Sequence, residues 1–82
     1  MKYKLQKKQS DPENDMRLYD VQNEVVLGYI LRFKRFGNYV YRTTVTMNGL
    51  VHGRDTSHIK DSIAFILEKR DLLTDDLKSQ LQ

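Results

Sequence analysis

Cysteine is absent from this chain, which rules out disulfides and thiolate metal ligands and permits a reducing compartment. No apolar run approaches the roughly 20 residues a membrane-spanning helix needs. The lysine-rich start is followed by no apolar core, so no secretory signal is expected. Proline occurs once, as Pro12 in the polar stretch QSDPEND, which reads as a loop. The glycines at 28, 37, 49 and 53 are scattered over turns and one strand, so no glycine-rich loop is present to cradle a phosphate. These readings point to a soluble, cytoplasmic protein.

Acidic residues are also missing where they would be most informative. Residues 27–48 carry Arg32, Lys34, Arg35 and Arg42 without one carboxylate, and residues 1–9 carry Lys2, Lys4, Lys7 and Lys8 likewise. Between them, residues 10–26 hold Asp11, Glu13, Asp15, Asp20 and Glu24 against Arg17 alone. The net charge of +3 therefore understates the local positive field over the middle of the chain.

Catalytic chemistry finds no support in the residue pattern. His52 and His58 lack the spacing and the carboxylate neighbours of a zinc site. Asp55 sits close to both in sequence but has no nucleophile beside it. Ser57 reads as a helix cap, Ser62 as a helix surface residue, and Asp75-Asp76 as acids at a helix start. No catalytic residue, metal ligand or cofactor is expected, and the protein is not expected to be an enzyme.

Eighty-two residues make one domain. Residues 1–15 read as a basic arm and loop, with Tyr3 and Leu5 at the period-two spacing of a short edge strand. Residues 16–82 read as a single α+β domain. Leu18 to Val21 and the run from Glu24 form a hairpin around Gln22-Asn23, since asparagine tolerates the left-handed backbone of such turns.

The central element is Val25 to Met47, two strand-like runs rich in β-branched and aromatic residues. Register decides which side chains share a face. A two-residue Gly37-Asn38 turn would mix apolar and charged groups. A three-residue loop, Gly37-Asn38-Tyr39, segregates them. The second register predicts a core face of Leu27, Tyr29, Leu31, Phe33, Val45 and Met47. It predicts an outward face of Ile30, Arg32, Lys34, Phe36, Val40, Arg42, Thr44 and Thr46. Gly28 falls on the outward face, where a bulge or strand bend accounts for it.

Met47-Asn48-Gly49 is a turn signal, Leu50 and Val51 extend a last short strand, and His52 to Asp55 read as a loop. A helix follows, capped by Thr56 or Ser57, with Ile59, Ile63, Ile66 and Leu67 on one stripe. Glu68, Lys69 and Arg70 close it. Phe65 lies off the stripe and needs other cover, either from within the chain or from a second copy in a homodimer through Phe65 and Leu72. Residues 75–81 read as a short second helix or as the frayed end of one long helix. The expected fold is thus α+β: a three-stranded antiparallel sheet packed on one main C-terminal helix, with a short extra helix at the C-terminus.

That order of elements, with basic residues on the strands, resembles integrase arm-binding domains and plant-type AP2 DNA-binding domains over roughly Leu18 to Arg70. The resemblance implies DNA binding by the sheet; an antiparallel ribbon can enter the major groove, where Arg32, Lys34 and Arg42 would act from adjacent strands, with Arg35 and Lys2 to Lys8 reaching flanking phosphates. The residues themselves favour a protein partner, as for an accessory or inhibitor protein of a mobile element. Phe36, Tyr39 and Tyr41 at the hairpin tip, with Arg32 and Arg42, suit an interface hot spot. The candidate macromolecule-binding set is Arg32, Lys34, Arg35, Phe36, Tyr39, Arg42, Thr44 and Thr46.

Overall fold

A computed structural model describes residues 2–73. The chain runs β1(Tyr3–Lys7), β2(Asp15–Asp20), β3(Val25–Arg35), β4(Asn38–Met47), β5(Leu50–Thr56) and α1(Ile59–Lys69). All five strands form one antiparallel meander in the order β1-β2-β3-β4-β5, and α1 packs over β3, β4 and β5. The α+β class stands, but the predicted three-stranded sheet is corrected to five strands. The two additional strands are the edges. β1 is built from the basic arm, and β5 takes in the stretch His52 to Asp55 that reads as a loop. The predicted second helix, with Asp75, Asp76, Leu77 and Leu81, lies outside the described residues. No described helix is long and apolar enough to cross a membrane.

Each hairpin is closed by a different device. Asn48 and Gly49, both at positive φ, make a two-residue turn between paired Met47 and Leu50, the geometry that suits the twist of flanking strands. Between β2 and β3 the loop spans four residues, since Asp20 pairs with Val25. There Asp20 accepts hydrogen bonds from the backbone N–H groups of Gln22 (3.0 Å) and Asn23 (3.2 Å). It also accepts from Asn23 Nδ2 at 2.7 Å. These bonds, the Asn23 side chain first, hold the Asp20 carboxyl below its ordinary value of 3.8. A carboxylate with a depressed folded pKa stabilises the native state above the unfolded value, and that contribution is lost as pH falls through the folded one. Unfolding titrations should therefore show stability declining below pH 3.8, and Asp20→Asn should flatten that acid limb.

The β3–β4 register differs from both predicted alternatives. Arg35 pairs with Asn38 and Leu31 with Arg42, so the turn is Phe36-Gly37, with φ of 52° and 82°. On β4 the expected faces hold: Val45 is buried and Met47 packs on the core, while Arg42 and Thr46 are exposed. On β3 they are inverted beyond Gly28. Ile30 is fully buried, whereas Tyr29 and Leu31 face solvent. A register shift opposite Leu18 and Tyr19 explains the change. The extra residue of this bulge lets the consecutive Leu27 and Gly28 both turn inward, and alternation then runs from Gly28 through Ile30.

The core joins Met16, Leu18, Leu27, Ile30 and Val45 from the sheet to Phe65, Ile66 and Leu67 from the helix. Phe65, off the predicted stripe, is only 4% exposed. Its ring is capped by Arg54 at 4.9 Å and Lys69 at 5.7 Å, and Leu72 packs half-buried against the same cluster. The helix ends where Asp71 adopts φ 57°. Its N–H bonds the Glu68 carbonyl, and the Leu72 N–H bonds that of Leu67, which satisfies the last carbonyls. Arg70 reaches across to donate to the carbonyls of Leu27 (2.9 Å) and Val26 (3.4 Å) beside the bulge.

Ser62 belongs to the interior rather than the helix surface. It is fully buried in a hydroxyl chain that ties α1 to β4 and β5. Thr43 donates to Ser62 Oγ at 2.6 Å, Ser62 Oγ lies 2.7 Å from Thr56 Oγ1, and Thr56 donates to the His58 carbonyl at 3.0 Å. This use of Thr56 leaves the helix with His58 as N-cap and no side-chain cap bond. Ser62→Ala should cost about 1–3 kcal/mol, because the buried Thr43 hydroxyl is left with a poor partner. Urea unfolding checks this, and Thr43→Val combined with Ser62→Ala should recover part of the loss.

Candidate functional site

Helix α1 covers one side of the sheet and leaves the other open. By register, the open side carries Lys4 and Gln6 from β1, with Lys8 just past its end, and Asp15, Arg17 and Tyr19 from β2. It continues with Tyr29, Leu31, Phe33 and Arg35 from β3, then Val40, Arg42, Thr44 and Thr46 from β4 and Val51, Gly53 and Asp55 from β5. Five cations thus ring an aromatic and aliphatic strip on this face, against two carboxylates.

The β3–β4 hairpin projects beyond the body. Pairing of β2 with β3 ends at Asp15 and Leu31, and pairing of β5 with β4 ends at Tyr41 and Thr56. From Phe33 to Val40 the hairpin is a two-stranded ribbon, and Phe36 at its apex is 97% exposed. A phenylalanine at φ 52° is uncommon, because the left-handed region crowds the Cβ of L-residues.

Side chains brace both faces of this ribbon. On the open side the Phe33 ring lies under Arg42 at 4.9 Å and Arg35 at 5.3 Å. Both guanidiniums converge on Asp55. Arg42 binds it twice, Nε to Oδ1 at 3.1 Å and Nη2 to Oδ2 at 3.2 Å, and Arg35 approaches to 3.5 Å. The Arg42 hydrogen bonds, reinforced by the charges of Arg42 and Arg35, hold the Asp55 carboxyl below its ordinary value. On the opposite side, Arg32 stacks on Tyr39 at 4.3 Å and Lys34 lies over the same ring at 5.2 Å. Arg32 also donates from Nε to Asn14 Oδ1 (3.2 Å) and lies 3.8 Å from Glu13.

The predicted site residues are therefore divided rather than gathered. Arg35, Arg42, Thr44 and Thr46 share the open face. Arg32, Lys34 and Tyr39 occupy the other, and Phe36 stands at the tip. Arg32 and Lys34 do not join Arg42 on one outward face, which corrects the predicted cationic surface.

Sequence reasoning missed Tyr29, Leu31 and Phe33 as surface residues by placing them in the core, and it missed Asp55 as the partner of two arginines. The signal for Asp55 was present. Asn48-Gly49 is the strongest short hairpin motif, and a full-length partner for β4 brings Asp55 opposite Arg42. Among the described residues, no three histidine, aspartate or glutamate side chains are grouped to hold a metal ion. Comparison with known proteins gives no match to a family model, a curated protein or a solved structure.

Proposed function

We propose that the chain is a non-enzymatic accessory or inhibitor-type protein that binds a protein partner through the tip of the β3–β4 hairpin, with Phe36 as the anchor. The observation that carries this reading is the Phe36 side chain itself, 97% exposed and held at φ 52°. Strain of this kind costs roughly 1–3 kcal/mol and clusters at functional positions. The braces beneath it reduce the ordering cost of binding, because the ribbon is stiffened before a partner arrives. Large aromatic and arginine side chains are the residues that dominate protein interfaces; Tyr39 and Arg35 lie on the same ribbon, and Arg32 at its base.

Major-groove reading by the hairpin arginines needs their guanidiniums free. Here Arg42 and Arg35 are engaged with Asp55, and Arg32 with Asn14 and Glu13, which favours the protein partner. The test is affinity capture from the native host with and without nuclease, using the wild-type chain and Phe36→Ala. A partner protein should be retained after nuclease and lost with Phe36→Ala. Retention only through nuclease-sensitive material, or retention by Phe36→Ala, overturns the proposal.

A further inference from the structure

We infer that the open sheet face is a second, separate binding surface, and that it takes single-stranded nucleic acid. The proposal does not rest on the hairpin tip. Its basis is an open groove of about 840 Å³ whose lining includes Lys4, Lys8, Arg17 and Tyr29. Register sets these residues side by side: Gln6, Arg17, Tyr29 and Thr44 form one cross-strand row over β1 to β4.

The cations here differ from those of the hairpin. Lys4 and Arg17 have no carboxylate partner among the described residues; Arg17 donates only to the neutral Gln6, at 2.6 Å. Lys8 lies 3.5 Å from Asp15 but keeps 64% of its side chain exposed. Such charges remain available to an anionic polymer. Next to them Tyr29 is 53% exposed, and half-buried Tyr19 stands on the same face of β2, two residues from Arg17, the direct partner of Tyr29.

This combination selects the ligand. Phosphates would be met by Lys4, Lys8 and Arg17, and bases would stack on the tyrosine rings. An aromatic platform bordered by a cationic groove is the general solution for single strands, whose unstacked bases offer a π-face regardless of sequence. A duplex hides those faces. An acidic peptide would satisfy the lysines but would gain nothing from the exposed Tyr29 ring. Gly53 at the β5 end of the central row presents no side chain, so the surface stays open there.

Fluorescence anisotropy of the 82-residue chain with a labelled oligo-dT of about 12 nucleotides tests the inference at a length within the usual single-strand site range. Affinity should fall with salt, with a log–log slope of about −2 for three phosphate contacts. Tyr29→Ala should weaken binding by roughly 5- to 100-fold, the range for one lost stacking contact. Arg17→Gln should weaken it and make the slope shallower by about 0.7. Lys60→Gln, on the far side of the helix, should leave both unchanged. Circular dichroism of each variant separates loss of binding from loss of fold, and Arg17→Gln carries the test should Tyr29→Ala unfold. Four results overturn the inference: no binding at low salt, unchanged affinity in folded Tyr29→Ala and Arg17→Gln, equal affinity for duplex of the same sequence, or equal competition by a poly-glutamate peptide.

Discussion

Gly28→Ala should destabilise the chain by about 1–3 kcal/mol, and Gly28→Val by more. A Cβ at Gly28 would lie 2.8 Å from Cγ1, 2.9 Å from Cδ1 and 3.0 Å from Cγ2 of Ile66. Real side chains do not approach so closely, so something must move. Ile66 is fully buried between helix and sheet, and its displacement disturbs Leu67, Phe65 and the strands beneath. The effect is large for a chain of this size: each kcal/mol lowers the thermal midpoint by roughly 4–8 °C. Gly53→Ala is the matched control. Its Cβ would meet only the Thr43 carbonyl oxygen, at an ordinary 3.7 Å, and its stability should stay within about 0.5 kcal/mol of wild type. Thermal melts of the two variants decide the matter. A double-mutant cycle adds the cause: in an Ile66→Ala background, Gly28→Ala should cost less, because the added methyl fills space that the isoleucine vacated. Equal costs in both backgrounds would show that backbone conformation, not contact with Ile66, makes the glycine necessary.

Gly28 also marks where the fold stopped being legible. Up to the bulge, residue pattern and structure agree, and Leu27 is buried as predicted. The bulge inserts one residue into the alternation, and every β3 side chain beyond it changes face. No period-two pattern announces such an insertion, since Val26, Leu27, Tyr29, Ile30 and Leu31 are all apolar enough for either side. Segregation of apolar from charged residues misleads about the register for a second reason. It holds along a whole strand only where one face is covered throughout, yet α1 covers only part of β3. Past Ile30 the ribbon is wet on both sides, so Arg32 and Lys34 are tolerated on the helix side, where Tyr39 receives them. β4 was read correctly because Thr43 and Val45 lie under the helix and Arg42, Thr44 and Thr46 alternate with them. The edge strands were legible only in part, at Tyr3 and Leu5 in β1 and at Leu50 and Val51 in β5, for a further reason. β1 and β5 each have one wet face and one free edge, so polar and charged residues dominate them, and His52-Gly53-Arg54-Asp55 resembles a loop in composition while pairing as a strand. The hairpin tip was legible as a candidate contact point, and the open face was not, because its aromatic residues were assigned to the interior.

Phe36→Asn should move stability and binding in opposite directions. Both central residues of the β3–β4 turn have positive φ, 52° at Phe36 and 82° at Gly37. Asn-Gly is the preferred pair for that geometry, because the short polar side chain of asparagine can hydrogen-bond the local backbone and offset the cost of the left-handed region, which the phenylalanine ring cannot do. The Phe36 ring has nothing to set against the strain, since it is 97% exposed and leaves the core untouched. Phe36→Asn should therefore raise unfolding stability by about 1 kcal/mol, within the range of a relieved left-handed residue. The midpoint in urea should rise without a change in slope, because the surface exposed on unfolding is nearly the same. If Phe36 anchors a protein partner, the same variant should lose at least about 2 kcal/mol of binding free energy, or roughly 30-fold in affinity. Titration calorimetry against the captured partner measures the loss. Added salt should change wild-type affinity little, because the lost contact is apolar. A variant that gains stability and keeps its affinity would reduce Phe36 to an imperfect turn residue. One that loses both would place the ring in the native packing, against its exposure. Only gain of stability with loss of binding is the behaviour of a residue held under strain for contact with another molecule.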